Sequence, residues 1–107
     1  MTPHLTTHVL DAAAGHPAAG VAVALSSASG VPIAHGVTDA DGRAGLGPAR
    51  LEPGDYTLRF ETGPYFAATA TEAFYPFVSV TFTVTGERHH HVPILLSPFA
   101  YSTYRGS

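Results

Sequence analysis

The sequence contains no cysteine and no lysine. Without cysteine there is no thiol nucleophile, no disulfide framework and no thiolate-held zinc or iron–sulfur cluster. Without lysine there is no Schiff-base chemistry. Absent thiols leave the redox compartment open, because such chains suit either side of a membrane. Charge is sparse as well, at 12% of 107 residues. The five cations are all arginines, Arg43, Arg50, Arg59, Arg88 and Arg105, set against eight carboxylates for a net charge of −3. No basic stripe is present to neutralise phosphates, so nucleic acid is not an expected partner. No apolar run reaches the roughly 18 residues of a membrane-spanning helix, so no membrane partner is expected either. The opening residues Met1-Thr2-Pro3-His4-Leu5 carry neither the positive segment nor the apolar stretch of a secretory signal. The closing Arg105-Gly106-Ser107 is not a peroxisomal address of the Ser-Lys-Leu type. A cytoplasmic location is the expectation.

Apolar residues make up 45% of the chain, enough for a packed core, and its length suits a single domain over residues 1–107. The pattern is one of short strands separated by turn residues, which predicts an all-β sandwich of seven or eight strands. Strands are expected over residues 4–11, 21–25, 33–38, 56–61, 77–84, 89–96 and 100–104. Residues 13–20 read as a loop. Val21, Val23 and Leu25 share one face of their strand, as do Tyr56, Leu58 and Phe60 of theirs. Thr38-Asp39-Ala40-Asp41-Gly42-Arg43 has strong turn chemistry, with Asp-Gly able to supply positive φ. One helix is expected over residues 64–74, an alanine-rich stretch.

Seven histidines stand out in so weakly charged a chain. Imidazole is the side chain best suited to proton transfer near neutral pH, since its unperturbed pKa is about 6.5. His8 shares a strand face with Thr6 and Leu10 and needs converging partners to be more than a surface residue. In the run His89-His90-His91, adjacent side chains point to opposite faces, so only His89 and His91 could share an ion. Two ligands fall short of the three or four that zinc requires, and no spacing selects His8, His16 or His35 to complete the set. A structural role, with His90 outward and a neighbour hydrogen-bonded, is the alternative; His4 and His35 read as surface or packing residues. Arg43 after the Asp-Gly turn has two readings: a weak surface pair with Asp39 or Asp41, or a planar fork for a carboxylate, an imide or a developing oxyanion. The tail from Ser97 to Ser107 holds three aromatic residues and alternates, which is unlike a frayed terminus and suggests an end held against something.

Three blocks together resemble the 5-hydroxyisourate hydrolases. His4-Leu5-Thr6-Thr7-His8-Val9-Leu10-Asp11, leading through Gly15-His16-Pro17-Ala18 to Gly20-Val21, is similar to that family's N-terminal signature. Residues Thr38 to Arg43 resemble its second block. The stretch from His91-Val92-Pro93 to the terminal Tyr104-Arg105-Gly106-Ser107 resembles its third. The resemblance implies a transthyretin-like sandwich of two four-stranded sheets with one short helix, assembled as a homotetramer with active sites in a channel at a subunit interface. It implies His8, Arg43, His91 and Tyr104 as catalytic residues, with Ser102 lining the substrate site, and neither a metal nor an organic cofactor. Transthyretin proper shares the fold but differs at the histidine, arginine and terminal-tetrapeptide positions, all filled here in the hydrolase manner. This separates an enzyme from the alternative, a non-catalytic small-ligand carrier. Two departures occur: His90 stands where the family commonly has tyrosine, and Ala100 replaces a frequent glycine.

The implied reaction opens the six-membered ring of 5-hydroxyisourate in urate breakdown. Water attacks an acyl carbon and the adjacent C–N bond breaks. No Ser–His–acid arrangement is evident, so water activated by histidine is simpler than a covalent intermediate. Either His8 or His91 accepts the water proton while the other orients water or protonates the departing nitrogen. Arg43 holds the substrate and stabilises negative charge, and Tyr104 or the terminal backbone fixes its orientation.

Overall fold

Strand β1 (Leu5–Asp11) sets the frame. Its side chains alternate, with Leu5, Thr7, Val9 and Asp11 buried and Thr6, His8 and Leu10 half-buried, which is the two-residue period of a strand with one face in the core. In the computed structural model, which describes residues 3–86 and 88–106, there follow β2 (His16–Pro17), β3 (Ala22–Ser27), β4 (Pro32–Val37), β5 (Arg43–Leu46), β6 (Gly54–Phe60), α1 (Thr62–Ala67), β7 (Val78–Val84), β8 (His90–Ser97) and β9 (Ala100–Thr103). They form a β-sandwich. One sheet runs β4-β3-β6-β7, and the other β2-β1-β8-β9 with β5 also on β1. Because β8 pairs along the whole of β1, β2 and β5 share its opposite edge, at Leu10–Asp11 and Leu5–His8 respectively.

The expected strands are present with ends shifted by a few residues, and the expected faces are buried. Val21, Val23, Leu25, Tyr56, Leu58 and Phe60 join Leu5, Val9, Ile94 and Leu96 in one apolar cluster drawn from both sheets. Burying a side chain of the size of Phe60 or Ile94 contributes about 1.5–3 kcal/mol. No helix among the described residues is long and apolar enough to cross a membrane.

Three features depart from expectation. The first sheet has five strands, because His16–Pro17, read as loop, forms a two-residue ribbon on Leu10 and Asp11. Arg43–Leu46 adds β5, which follows from the turn before it. Gly42 at φ +75° allows Asp39 to accept from its amide, and Val9 donates to the Gly42 carbonyl at 2.7 Å. A Cβ on Gly42 would lie 2.4 Å from that neighbour's carbonyl oxygen, so this turn closes only on glycine. The helix is also shorter and starts earlier than residues 64–74. Phe66 is buried in the core, and Tyr65 donates to Asp11 Oδ2 at 2.8 Å, anchoring this single turn and a half. It stops because Ala70 adopts φ 54° and the amides of Thr69 and Thr71 both fold back on the Phe66 carbonyl. β-branched threonines do little to resist that ending.

Candidate active site on the outer face of the first sheet

The half-buried face of β1 is the outward face of its sheet, and strand register decides what meets there. In the antiparallel pairing with β5, His8 lies opposite Arg43 and Thr6 opposite Gly45. In the parallel pairing with β8, Thr6 lies opposite His91 and His8 opposite Pro93. The terminal segment closes the row, since Gly106 bridges to His91 and donates its amide to the His91 carbonyl at 2.9 Å. Thus Arg43, His8 and His91, which are distant in sequence, share one face within adjacent ladder rows. Directly opposed side chains in such ladders have Cβ atoms about 4.5–5.5 Å apart.

A cleft of about 340 Å³ opens here, lined by Thr6, Asp39, Arg43, Gly45, His89 and His91 among others. Asp39 organises its rim. One carboxylate oxygen accepts the backbone amides of Asp41 at 2.9 Å and Arg43 at 3.0 Å. These bonds, chiefly the one from Arg43, hold the Asp39 carboxyl below the usual carboxylate range. The weak-pair reading of Arg43 is therefore met by its backbone rather than its guanidinium, which makes no ion pair among the described residues and stays exposed. His8 supports the same turn by donating its Nε2–H to the Asp41 carbonyl at 2.8 Å.

His91 is half-buried, with Nδ1 at 2.8 Å from Thr6 Oγ1. Burial pushes its pKa below the ordinary imidazole value, and the neighbouring Arg43 and His8 push in the same direction. The ring is thereby kept neutral and able to accept a proton near neutral pH. Its Cδ2 edge is covered by the terminal chain, where a Cβ on Gly106 would come within 2.5 Å. The tail is thus held against the sheet as far as Gly106.

The other sequence candidates lie further off. Ser102 pairs with Leu95, two rows from His91, and is exposed. Tyr104, 55% exposed, lines a neighbouring cleft of about 280 Å³ with Val80, Phe82 and Thr103; His91 borders both clefts. Within one chain, then, Arg43 and His91 share a cleft; His8 lies opposite Arg43 on the same strand face without lining it, and Tyr104 and Ser102 stand outside it. Sequence reasoning missed Thr6, whose hydroxyl meets both His89 Nε2 and His91 Nδ1 at 2.8 Å. Among the described residues no group of three or more His, Asp or Glu side chains is placed to hold a metal ion.

His90 is not outward. It is 8% exposed and packs edge-on against buried His4, with ring centroids 5.2 Å apart. Its Nδ1 has no hydrogen-bond partner. His4 is fully committed, accepting from the Leu51 amide at 2.7 Å and donating to the Arg88 carbonyl at 2.7 Å. Desolvation lowers the pKa of His90 as it does that of His91. Above the unfolded value of about 6.5, both states hold these rings neutral and no stability is lost. As pH falls below it, the unfolded chain takes up protons that the folded rings resist, so stability drops until the folded pKa values are passed. The melting temperature is accordingly expected to be lower at about pH 5 than at about pH 7.5, with a smaller difference in His90→Phe. An unchanged difference in that variant would assign the loss to other groups.

Comparison with known proteins defines the class. The HIUase/Transthyretin family matches residues 5–106, and the chain belongs to that family. Within it, the chain is 45% identical to the 5-hydroxyisourate hydrolase of Mus musculus, covering 96% of this chain and 94% of the mouse protein. It superposes on the structure of Klebsiella pneumoniae 5-hydroxyisourate hydrolase with a TM-score of 0.89 at 41% identity, covering 96% of this chain and 98% of that one. Sea bream transthyretin, solved in complex with thyroxine, also aligns, with a TM-score of 0.87 at 34% identity over 95% and 93% of the two chains.

Proposed function

We propose that this chain is a hydrolase acting on 5-hydroxyisourate in urate degradation, opening the ring to 2-oxo-4-hydroxy-4-carboxy-5-ureidoimidazoline. The observation that carries the reading is the shared cleft of a neutral His91 and an Arg43 guanidinium free of any ion pair among the described residues. Similarity to the mouse and Klebsiella hydrolases supports the same substrate.

In this reading His91 is the general base. Its Nε2 has no hydrogen-bond partner among the described residues, whereas the Nε2–H of His8 is committed to the Asp41 carbonyl. His91 takes a proton from water, whose oxygen attacks the acyl carbon; the C–N bond then breaks and the departing nitrogen receives the proton. Arg43 grips the planar substrate through two parallel N–H donors and stabilises the developing oxyanion. His8 holds the turn that presents Arg43 and orients the water. The whole chain works as one domain in the cytoplasm, with no metal or organic cofactor.

The working unit is a homotetramer with sites at a subunit interface. Both structural neighbours are transthyretin-like, and the outer surface near the site exposes Leu95, Phe99, Tyr101 and Tyr104. Apolar exposure on that scale suits coverage by another subunit, and Tyr104 and Ser102 would meet substrate across that contact.

The decisive experiment follows the absorbance of freshly made 5-hydroxyisourate with and without protein, because the substrate also decays unaided. Saturable acceleration, unchanged by chelator, is the expected result. Saturable binding with no acceleration would overturn the enzyme reading in favour of a carrier.

A further inference from the structure

Between His89 and His91 stands one hydroxyl. Thr6 Oγ1 is 2.8 Å from His89 Nε2 and 2.8 Å from His91 Nδ1. A hydroxyl has a single proton, so when it donates to one ring it must accept from the other. The tautomers of the two imidazoles are tied together. If Thr6 donates to His89 Nε2, then His91 donates from Nδ1 and presents an unprotonated Nε2. If Thr6 donates to His91 Nδ1, the proton of His91 sits on Nε2 and the ring cannot act as a base there.

We propose that Thr6 and His89 are positioning residues that hold His91 with its proton on Nδ1 and pass its surplus proton toward solvent. The proposal rests on the hydrolase reading above, with His91 as base. The two rings differ in setting in the way such a relay needs, for His91 is half-buried while His89 is exposed. Arg43 and His8 face His91 from β5 and β1, so a full positive charge on His91 is opposed; Asp39 lines the same cleft, its carboxylate held by the amides of Asp41 and Arg43.

The steps balance. Water gives a proton to His91 Nε2 as its oxygen attacks carbon. His91 releases the Nδ1 proton to Thr6 Oγ1, and the original Thr6 proton moves to His89 Nε2. His91 ends neutral with its proton on Nε2, and the charge rests on exposed His89. When the C–N bond breaks, His91 gives the Nε2 proton to the departing nitrogen and the two transfers run back. His91 therefore serves first as base and then as acid, and all groups return to their starting states.

The test combines kinetics with nitrogen NMR of the His91 ring at about pH 7.5. Wild-type His91 is expected to show an unprotonated Nε2. In Thr6→Val the spectrum should move toward the protonated-Nε2 form that free histidine prefers, and kcat should fall roughly 10–100-fold, as when the partner of a working histidine is lost, with little change in KM. Thr6→Ser should restore both. His89→Ala removes the acceptor from an exposed position and should reproduce the Thr6→Val spectrum and kcat, which keeps the test valid should Thr6→Val fail to fold. Wild-type kcat and an unchanged His91 spectrum in either variant would overturn the relay. The hydrolase reading fails separately, if wild-type protein leaves substrate decay unaccelerated; the tautomer spectra still decide the relay in that case.

Discussion

His91→Ala is expected to lower kcat on fresh 5-hydroxyisourate by about 10²–10⁴-fold, the usual contribution of one positioned general base. The fold should survive the change. His91 lies on the outward face, Thr6 is the one hydrogen-bond partner of its ring among the described residues, and the core beneath it is built by its inward neighbours His90 and Val92. A loss of activity at unchanged melting temperature therefore reports chemistry. The pH dependence follows with a definite sign. His91 must be unprotonated to accept from water, and burial together with Arg43 and His8 holds its pKa below the ordinary value of about 6.5. The acid limb of kcat/KM should thus fall below that value and disappear in His91→Ala. His8→Ala should also lower activity, because the Asp41 carbonyl loses its donor and the turn carrying Arg43 loosens. Should both alanine variants keep wild-type kcat, the histidine mechanism is wrong.

Much of the frame that holds these groups is legible from residue alternation. The buried faces of β1, β3 and β6 follow directly from Leu5/Thr7/Val9, Val21/Val23/Leu25 and Tyr56/Leu58/Phe60. Alternation also says that His90 opposes His89 and His91. It does not say which of the two faces is inside, and the inward face went to His90 because Val92, Ile94 and Leu96 carry the same parity into the core. The helix misreading has a similar origin. Alanine content favours extending it, but a left-handed Ala70 is a tertiary outcome that propensity does not contain.

The site was harder to see than the frame, and the reason is register. Thr6 and His91 are 85 residues apart, and between β1 and β8 the chain builds the entire second sheet. A parallel pairing reached by so long a path leaves no local turn to set its offset, unlike the Asp-Gly turn that announces Arg43. Family resemblance supplied His8, Arg43 and His91 without that geometry. It could not supply Thr6, because a threonine in a strand is commonplace until the ladder places it between two imidazoles.

Arg43→Lys is the second change with a large expected effect: kcat/KM should fall by about 10²–10³-fold, the range seen when one preorganised donor to a developing oxyanion is removed. The substitution preserves charge, so it isolates geometry. A guanidinium presents a rigid fork to a planar substrate, whereas an ammonium is a point charge on a flexible stem. The backbone of residue 43 is fixed independently of its side chain, through its amide on Asp39 and its carbonyl on the Asp39 amide. Stability should therefore change little, since an exposed cation without an ion pair among the described residues contributes little. Lysine also carries positive charge beside His91 and so maintains part of the pressure that keeps that ring neutral. Arg43→Ala removes it, and the acid limb should move upward toward the ordinary imidazole value as well as lose amplitude. Steady-state kinetics of the two variants across pH separate the roles: a loss confined to Arg43→Ala would reduce Arg43 to a source of charge and remove the fork from the mechanism.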